Sequence, residues 1–77
     1  MGAGLATALR RRAVRIRPEG LAEVEALDWA RMEAVARWEA APSPVTRREM
    51  RAARRAYLRA NQAALGHAVT DARAARA

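Results

Sequence analysis

The 77-residue chain has no cysteine, no lysine and no phenylalanine, and its only aromatic side chains are Trp29, Trp38 and Tyr57. Without cysteine there are no disulfides, no thiolate metal sites and no cysteine nucleophile. Ser43 is the sole serine and His67 the sole histidine, so nucleophile and base pairs are nearly absent as well. His67 lies among small residues and is read as a surface histidine. Acidic neighbours such as Glu19 and Glu23 would need a shared pocket to act as acid and base; on a solvated helix they are a charged face. Gly2-Ala3-Gly4 does not follow a strand, which removes the nucleotide-loop reading. No catalytic, metal or cofactor residue is assigned, no enzyme is expected, and a small-molecule partner is not foreseen.

Long apolar runs are missing too. No uncharged stretch approaches the 18 residues of a membrane-spanning helix, and the apolar opening Met1 to Leu9 is followed by its positive charges, the reverse of a secretory signal. Ala6 stands where a myristoylation motif wants Ser or Thr. Membrane-surface binding through Leu5, Leu9, Val14 and Ile16 is disfavoured by the shortness of the segment and its lack of Trp or Phe. The expected address is the cytoplasm or the interior of an assembled particle.

Bulky apolar side chains are scarce. Hydrophobic residues make up 52% of the chain, but 22 of them are alanine, and Leu, Ile and Val together number 12. With a net charge of +7, such a composition approaches the range where a chain cannot bury enough to order itself. The missing apolar area is most simply supplied by another chain.

The charge is laid out in blocks. Residues 1–17 carry five Arg and no acid, residues 18–40 six acids against Arg31 and Arg37, and residues 47–59 six Arg against Glu49. The clearest local signal lies between the last two. Pro42-Ser43-Pro44 interrupts any helix, and Thr46-Arg47-Arg48-Glu49 fits a capping box with Val45 and Met50 as its hydrophobic staple. The pattern therefore predicts a helix from Arg47. Before the break, Leu21, Val24, Leu27, Met32, Val35 and Trp38 fall within about 140° of a helical wheel, a core-facing stripe, and Pro18-Glu19-Gly20 suits its first turn. Asp28 and Arg31 are placed to pair. After the break, Met50, Ala53, Tyr57, Ala64, Ala68 and Ala72 share a face, with Leu58, Leu65 and Val69 on its flank.

The fold class expected is all-α: an antiparallel helical hairpin over about 19–40 and 47–74, preceded by a basic N-terminal arm or short helix over 1–17. Residues 18–77 then form one small domain.

Two functions follow from different features. Trp29 lies off the core stripe in a field of Ala22, Ala26, Ala36 and Ala40, the composition of an interface anchor. Leu21, Val24, Trp29 and Val35 are the expected protein interface of a non-enzymatic interaction or assembly subunit. Such a subunit would complete its core by self-association or within a larger complex, for example a virion-like assembly. The alternative is a small Arg-rich DNA- or RNA-binding protein. Arg48, Arg51, Arg55 and Arg59 span about 17 Å of helix and, with Arg10, Arg11, Arg12, Arg15 and Arg17, offer guanidinium forks to phosphates or to an acidic partner. No aromatic residue interleaves with that row, so base stacking is not indicated. The competing view of the row is neutralisation by the acidic helix lying beside it.

Overall fold

The computed structural model describes residues 15–76. They form two helices, α1 (Pro18–Ala40) and α2 (Pro44–Arg76), packed against each other along their length. The architecture is the all-α helical hairpin expected. The short helix or arm considered for the first residues, with Arg10, Arg11 and Arg12, lies outside the described residues, apart from the stretch 15–17, which has no regular structure.

Local chemistry sets the ends. Arg17 is extended, with φ −57° and ψ 141°, and its carbonyl accepts the Leu21 N–H at 2.9 Å. Pro18 occupies the first helical position, where its missing N–H costs nothing. At the far end the Ala41 N–H closes on the Arg37 carbonyl at 3.0 Å, and Pro42 prevents continuation. α2 starts three residues before the Arg47 that the sequence pattern favours. Ser43, not Thr46, is the cap. Its hydroxyl accepts the Thr46 N–H at 3.1 Å, and the Thr46 hydroxyl accepts the Ser43 N–H at 2.9 Å. This is a reciprocal capping box one turn earlier than Thr46–Glu49, with Pro44 at the first position. Thr46 also donates to the Ala41 carbonyl at 2.9 Å, tying the loop to the end of α1.

The helices meet along residues spaced alternately four and three apart, the repeat of coiled-coil packing. On α1 the seam is Gly20, Val24, Leu27, Arg31, Ala34 and Trp38; on α2 it is Thr46, Met50, Ala53, Tyr57, Ala60 and Ala64, continued by Ala68. The register is fixed at several levels. The Arg31 guanidinium lies 5.2 Å from the Tyr57 ring centre, Arg37 pairs with Glu49 at 3.5 Å, and a Cβ on Gly20 would stand 3.4 Å from that of Ala64. Residue n of α1 is thus level with residue about 86 − n of α2.

This seam corrects the core stripe read from α1. It is rotated by about 50° from the line of largest side chains, at 100° per residue, so Leu21 and Met32 are exposed while Gly20 and Ala34 face the partner helix. The cause is size. α2 offers mostly alanines, and the backbones approach closely where α1 is small as well. Arg31 takes a seam position because its charge is met by Asp28 at 2.5 Å and its guanidinium stacks on Tyr57, leaving the aliphatic stem to be covered. The expected Asp28–Arg31 pair is therefore present.

Among the described residues only Ala34, Ala64 and Ala68 are buried, at 1%, 6% and 1% exposure. Replacing Ala64 by Leu is expected to force the helices apart and cost about 1–3 kcal/mol. Gly66 has open space around a would-be Cβ, so Gly66→Ala should stabilise by about 0.5–1 kcal/mol. Thermal melts followed by circular dichroism check both; equal melting points for the two variants would contradict the seam.

Candidate interaction surfaces

The two-helix geometry divides the surface into four strips. The residue that follows each seam position on either helix turns toward one side of the hairpin, and the residue that precedes it turns toward the other. The first side carries Leu21, Glu25, Asp28, Met32, Val35 and Glu39 from α1, beside Arg47, Arg51, Arg54, Leu58, Asn61 and Leu65 from α2. A groove on this side, lined by Arg31, Val35, Arg51, Arg54, Tyr57 and Leu58 among others, shows the two strips meeting. Leu21, Met32, Leu58 and Leu65 stay 44–49% exposed there. The opposite side carries alanines and charges, with Val45 its only large apolar group among the described residues.

The four residues expected at an interface do not share one face. Val24 sits in the seam and is half-buried against α2, so its apolar surface is largely taken up within the chain. Leu21 and Val35 lie on the apolar side. Trp29 lies on the back of α1, pointing away from α2, at 64% exposure. On the helical wheel it stands about 60° from Met32 and 80° from Leu21, at the border of the same apolar region. Met32, Leu58 and Leu65 belong to this region as well. Their signal is legible in the sequence as a second run of four-and-three spacing displaced by one residue from the seam.

Arg48, Arg51, Arg55 and Arg59 are all exposed; Arg48 and Arg55 lie on the outer face of α2, Arg51 turns toward the groove and Arg59 toward the opposite side. None of them forms a salt bridge among the described residues, nor do Arg47, Arg54, Arg73 and Arg76. Among the described residues the acidic helix forms no ion pair with this row. The one ion pair between α1 and α2, Arg37–Glu49, takes its base from the acidic helix and its acid from the basic one. The hairpin is consequently dipolar across its width. α1 holds six acids against two Arg, and α2 eight Arg against two acids.

A further contact closes the open end. Arg17 donates from Nε and Nη2 to the two carboxylate oxygens of Asp71 at 2.7 and 2.6 Å. This bidentate fork joins the residue before α1 to the last turns of α2. His67 is exposed nearby, in a shallow depression bordered by Arg17, Glu19, Gly20, Glu23 and Ala64. No group of three or more metal-ligating side chains occurs among the described residues, and no described helix is long and apolar enough to cross a membrane.

Comparison with protein-family models, with curated proteins and with solved structures finds no match to this chain.

The Asp71 carboxyl is held below the ordinary carboxylate range, first by the hydrogen bonds from Arg17, with the Arg17 charge adding to them and the loss of solvent around the carboxyl opposing both. The Arg17 guanidinium is correspondingly held charged. A depressed folded-state pKa gives stability that is present above the unfolded value and is lost as pH falls through the folded one. NMR titration should therefore place the Asp71 midpoint below about 3.9, the usual Asp value, and Arg17→Gln should return it there. An Asp71 midpoint indifferent to Arg17→Gln would show that the fork does not form in solution.

Proposed function

We propose that the protein acts without catalysis as a helical interaction or assembly subunit whose apolar surface is completed by a further chain. That chain is another copy or a member of a larger complex, such as a virion-like or other multi-subunit assembly. The observation that carries this reading is the burial pattern. Every buried residue among those described is an alanine, while Leu21, Trp29, Met32, Val45, Leu58, Leu65 and Val69 remain 38–64% exposed. Single exposed apolar residues are ordinary, but Leu21, Met32, Leu58 and Leu65 share one side of the hairpin, and such a set marks a place where something packs. The unpaired arginines of α2 would steer an acidic partner and fix its orientation.

In light scattering the purified chain is expected to run as an oligomer, with a melting temperature that rises with protein concentration, or as a poorly folded monomer that a partner orders. A solitary chain that melts cooperatively at one temperature over a broad range of concentration would sink the proposal.

One observation favours a second reading. An exposed arginine row without acidic partners suits phosphate contacts along a nucleic-acid backbone, without reading the bases. Binding to duplex DNA or RNA should then weaken steeply between about 50 and 200 mM salt, with a log–log slope of roughly −4 to −5. Each Arg removed from Arg48, Arg51, Arg55 and Arg59 should reduce that slope by about one unit. Absent or salt-independent binding removes this reading.

A further inference from the structure

The apolar side of the hairpin also carries charge in a definite order. Along α1 the strip runs Leu21, Glu25, Asp28, Met32, Val35, Glu39; along α2, at matching levels, it runs Leu65, Asn61, Leu58, Arg54, Arg51, Arg47. One strip is acidic and the other basic, and both bear bulky apolar groups. Glu25, Glu39, Arg47, Arg51 and Arg54 form no ion pair among the described residues, and Asp28 alone is matched, by Arg31.

A second copy can lie on this side with two-fold symmetry in two ways. If the axis runs across the helices, α1 lies over α1 and α2 over α2, which sets acids against acids and arginines against arginines. If the axis runs parallel to the helices, α1 of each copy lies over α2 of the other, with both loops at the same end. Each acidic strip then faces a basic one. An axis of this direction permits no sliding along the helices, so the level of each residue is kept. Leu21 meets Leu65 of the second copy and Glu39 meets Arg47, while Asp28 stands level with Leu58, Met32 with Arg54 and Val35 with Arg51. The stems of Arg51 and Arg54 thus cover the apolar groups, and their guanidinium groups lie within a turn of the acids. A two-fold contact needs one surface that complements itself, and this side of the hairpin does so in the sign of its strips, acidic on α1 and basic on α2, with Leu21 and Leu65 level at one end. The Ala-rich opposite side offers, among the described residues, only Val45 as a large apolar group.

We propose that the chain forms a two-fold-symmetric dimer through the side bearing Leu21, Met32, Val35, Leu58 and Leu65, with α1 of each copy lying over α2 of the other. The proposal rests on the reading of the protein as an association subunit and names the chain that reading leaves open. The product is a four-helix bundle in which the exposed leucines become core. Trp29, at the border of the contact, is partly shielded.

The test exchanges charge at one symmetric pair. Glu39→Arg sets two arginines against each other at each of the two symmetric contacts of the dimer, and Arg47→Glu likewise sets two glutamates against each other. Each variant alone should dimerise on the order of tenfold more weakly in sedimentation equilibrium. In a one-to-one mixture every such contact again joins opposite charges. The arginine introduced at position 39 of one variant faces the glutamate introduced at position 47 of the other, and the native Arg47 of the first faces the native Glu39 of the second. Heterodimers should therefore regain the wild-type affinity. Neither Glu39 nor Arg47 is ion-paired among the described residues, so neither substitution removes an ion pair of the hairpin, and circular dichroism of each variant checks that its helices are kept. Leu65→Glu, on a residue 46% exposed in the hairpin, should dissociate the dimer in both backgrounds.

A dimer weakened by each swap and restored by mixing supports the proposal. A dimer insensitive to the swaps, a mixture no tighter than its components, or an oligomer larger than two overturns it while leaving the association reading in place. So does a poorly folded monomer, since the completing chain is then a different one. A stable, cooperatively melting monomer overturns both.

Discussion

The close approach of two helices at small residues is the constraint from which the other features of this hairpin descend. A Cβ on Gly20 would come into van der Waals contact with Ala64 at 3.4 Å, and Ala34 and Ala68 are all but sealed. Dispersion between packed atoms falls off within an ångström of contact, so helices that meet through alanine gain from backbone proximity rather than from side-chain volume. That gain exists only while nothing large intrudes. Leu21, Met32, Leu58 and Leu65 are turned aside by one residue's rotation, and their apolar area is moved to a flank instead of a core. A hairpin built this way is self-consistent in geometry and incomplete in burial.

The charge layout follows the same logic. Had the helices met through the face midway between the strips, acids and arginines could have paired across the seam. Because the seam is narrow and small, the residues able to reach across are those immediately beside it, and only Arg37 and Glu49 do so. Apart from Asp28 with Arg31 and Asp71 with Arg17, the remaining charges on the two helices form no ion pair among the described residues. The first 17 residues add arginine and no acid, so nothing there compensates α2. An exposed dipolar hairpin loses little by this, since ion pairs on a surface are each worth under about 1 kcal/mol. The separated charge is worth more as a guide to orientation than as a source of stability.

The fold class and the break at Pro42-Ser43-Pro44 were legible because they rest on strong local chemistry, namely two prolines and a hydroxyl-rich turn. The face of α2 was legible because most of its candidates from Met50 through Ala68 are alanines, the small residues that pack here, with Met50 and Tyr57 the large ones. α1 misled for a physical reason. Ranking side chains by hydrophobic size points to Leu21 and Met32, whereas the partner helix selects for smallness, which promotes Gly20 and Ala34. Arg31 in the seam was still harder to see, because its acceptability depends on Tyr57 from the other helix. The cap was misplaced by one turn since Ser43-x-x-Thr46 and Thr46-x-x-Glu49 are both capping sequences. Pro44, which fits the first helical position, decides between them. The same rotation decides where the four expected interface residues stand: Val24, already in the stripe read from α1, lies in the seam, Trp29 lies on the back, and Leu21 and Val35 share the apolar side with Met32, Leu58 and Leu65.

The capping box also governs what the surface can do. Ser43 and Thr46 clasp each other while Thr46 holds the Ala41 carbonyl, so a three-residue connection fixes where α2 begins relative to the end of α1. Register is set at that point and confirmed at the other end by the Arg17–Asp71 fork. Sliding α2 by one residue would carry Leu58 and Leu65 toward the seam and turn Tyr57 away from Arg31. The composition of the exposed side, Leu21 level with Leu65 and Glu39 level with Arg47, therefore depends on a turn that contributes almost no apolar contact of its own. In a molecule with so small a core, this polar clasp is what converts two amphipathic helices into one surface of defined pattern.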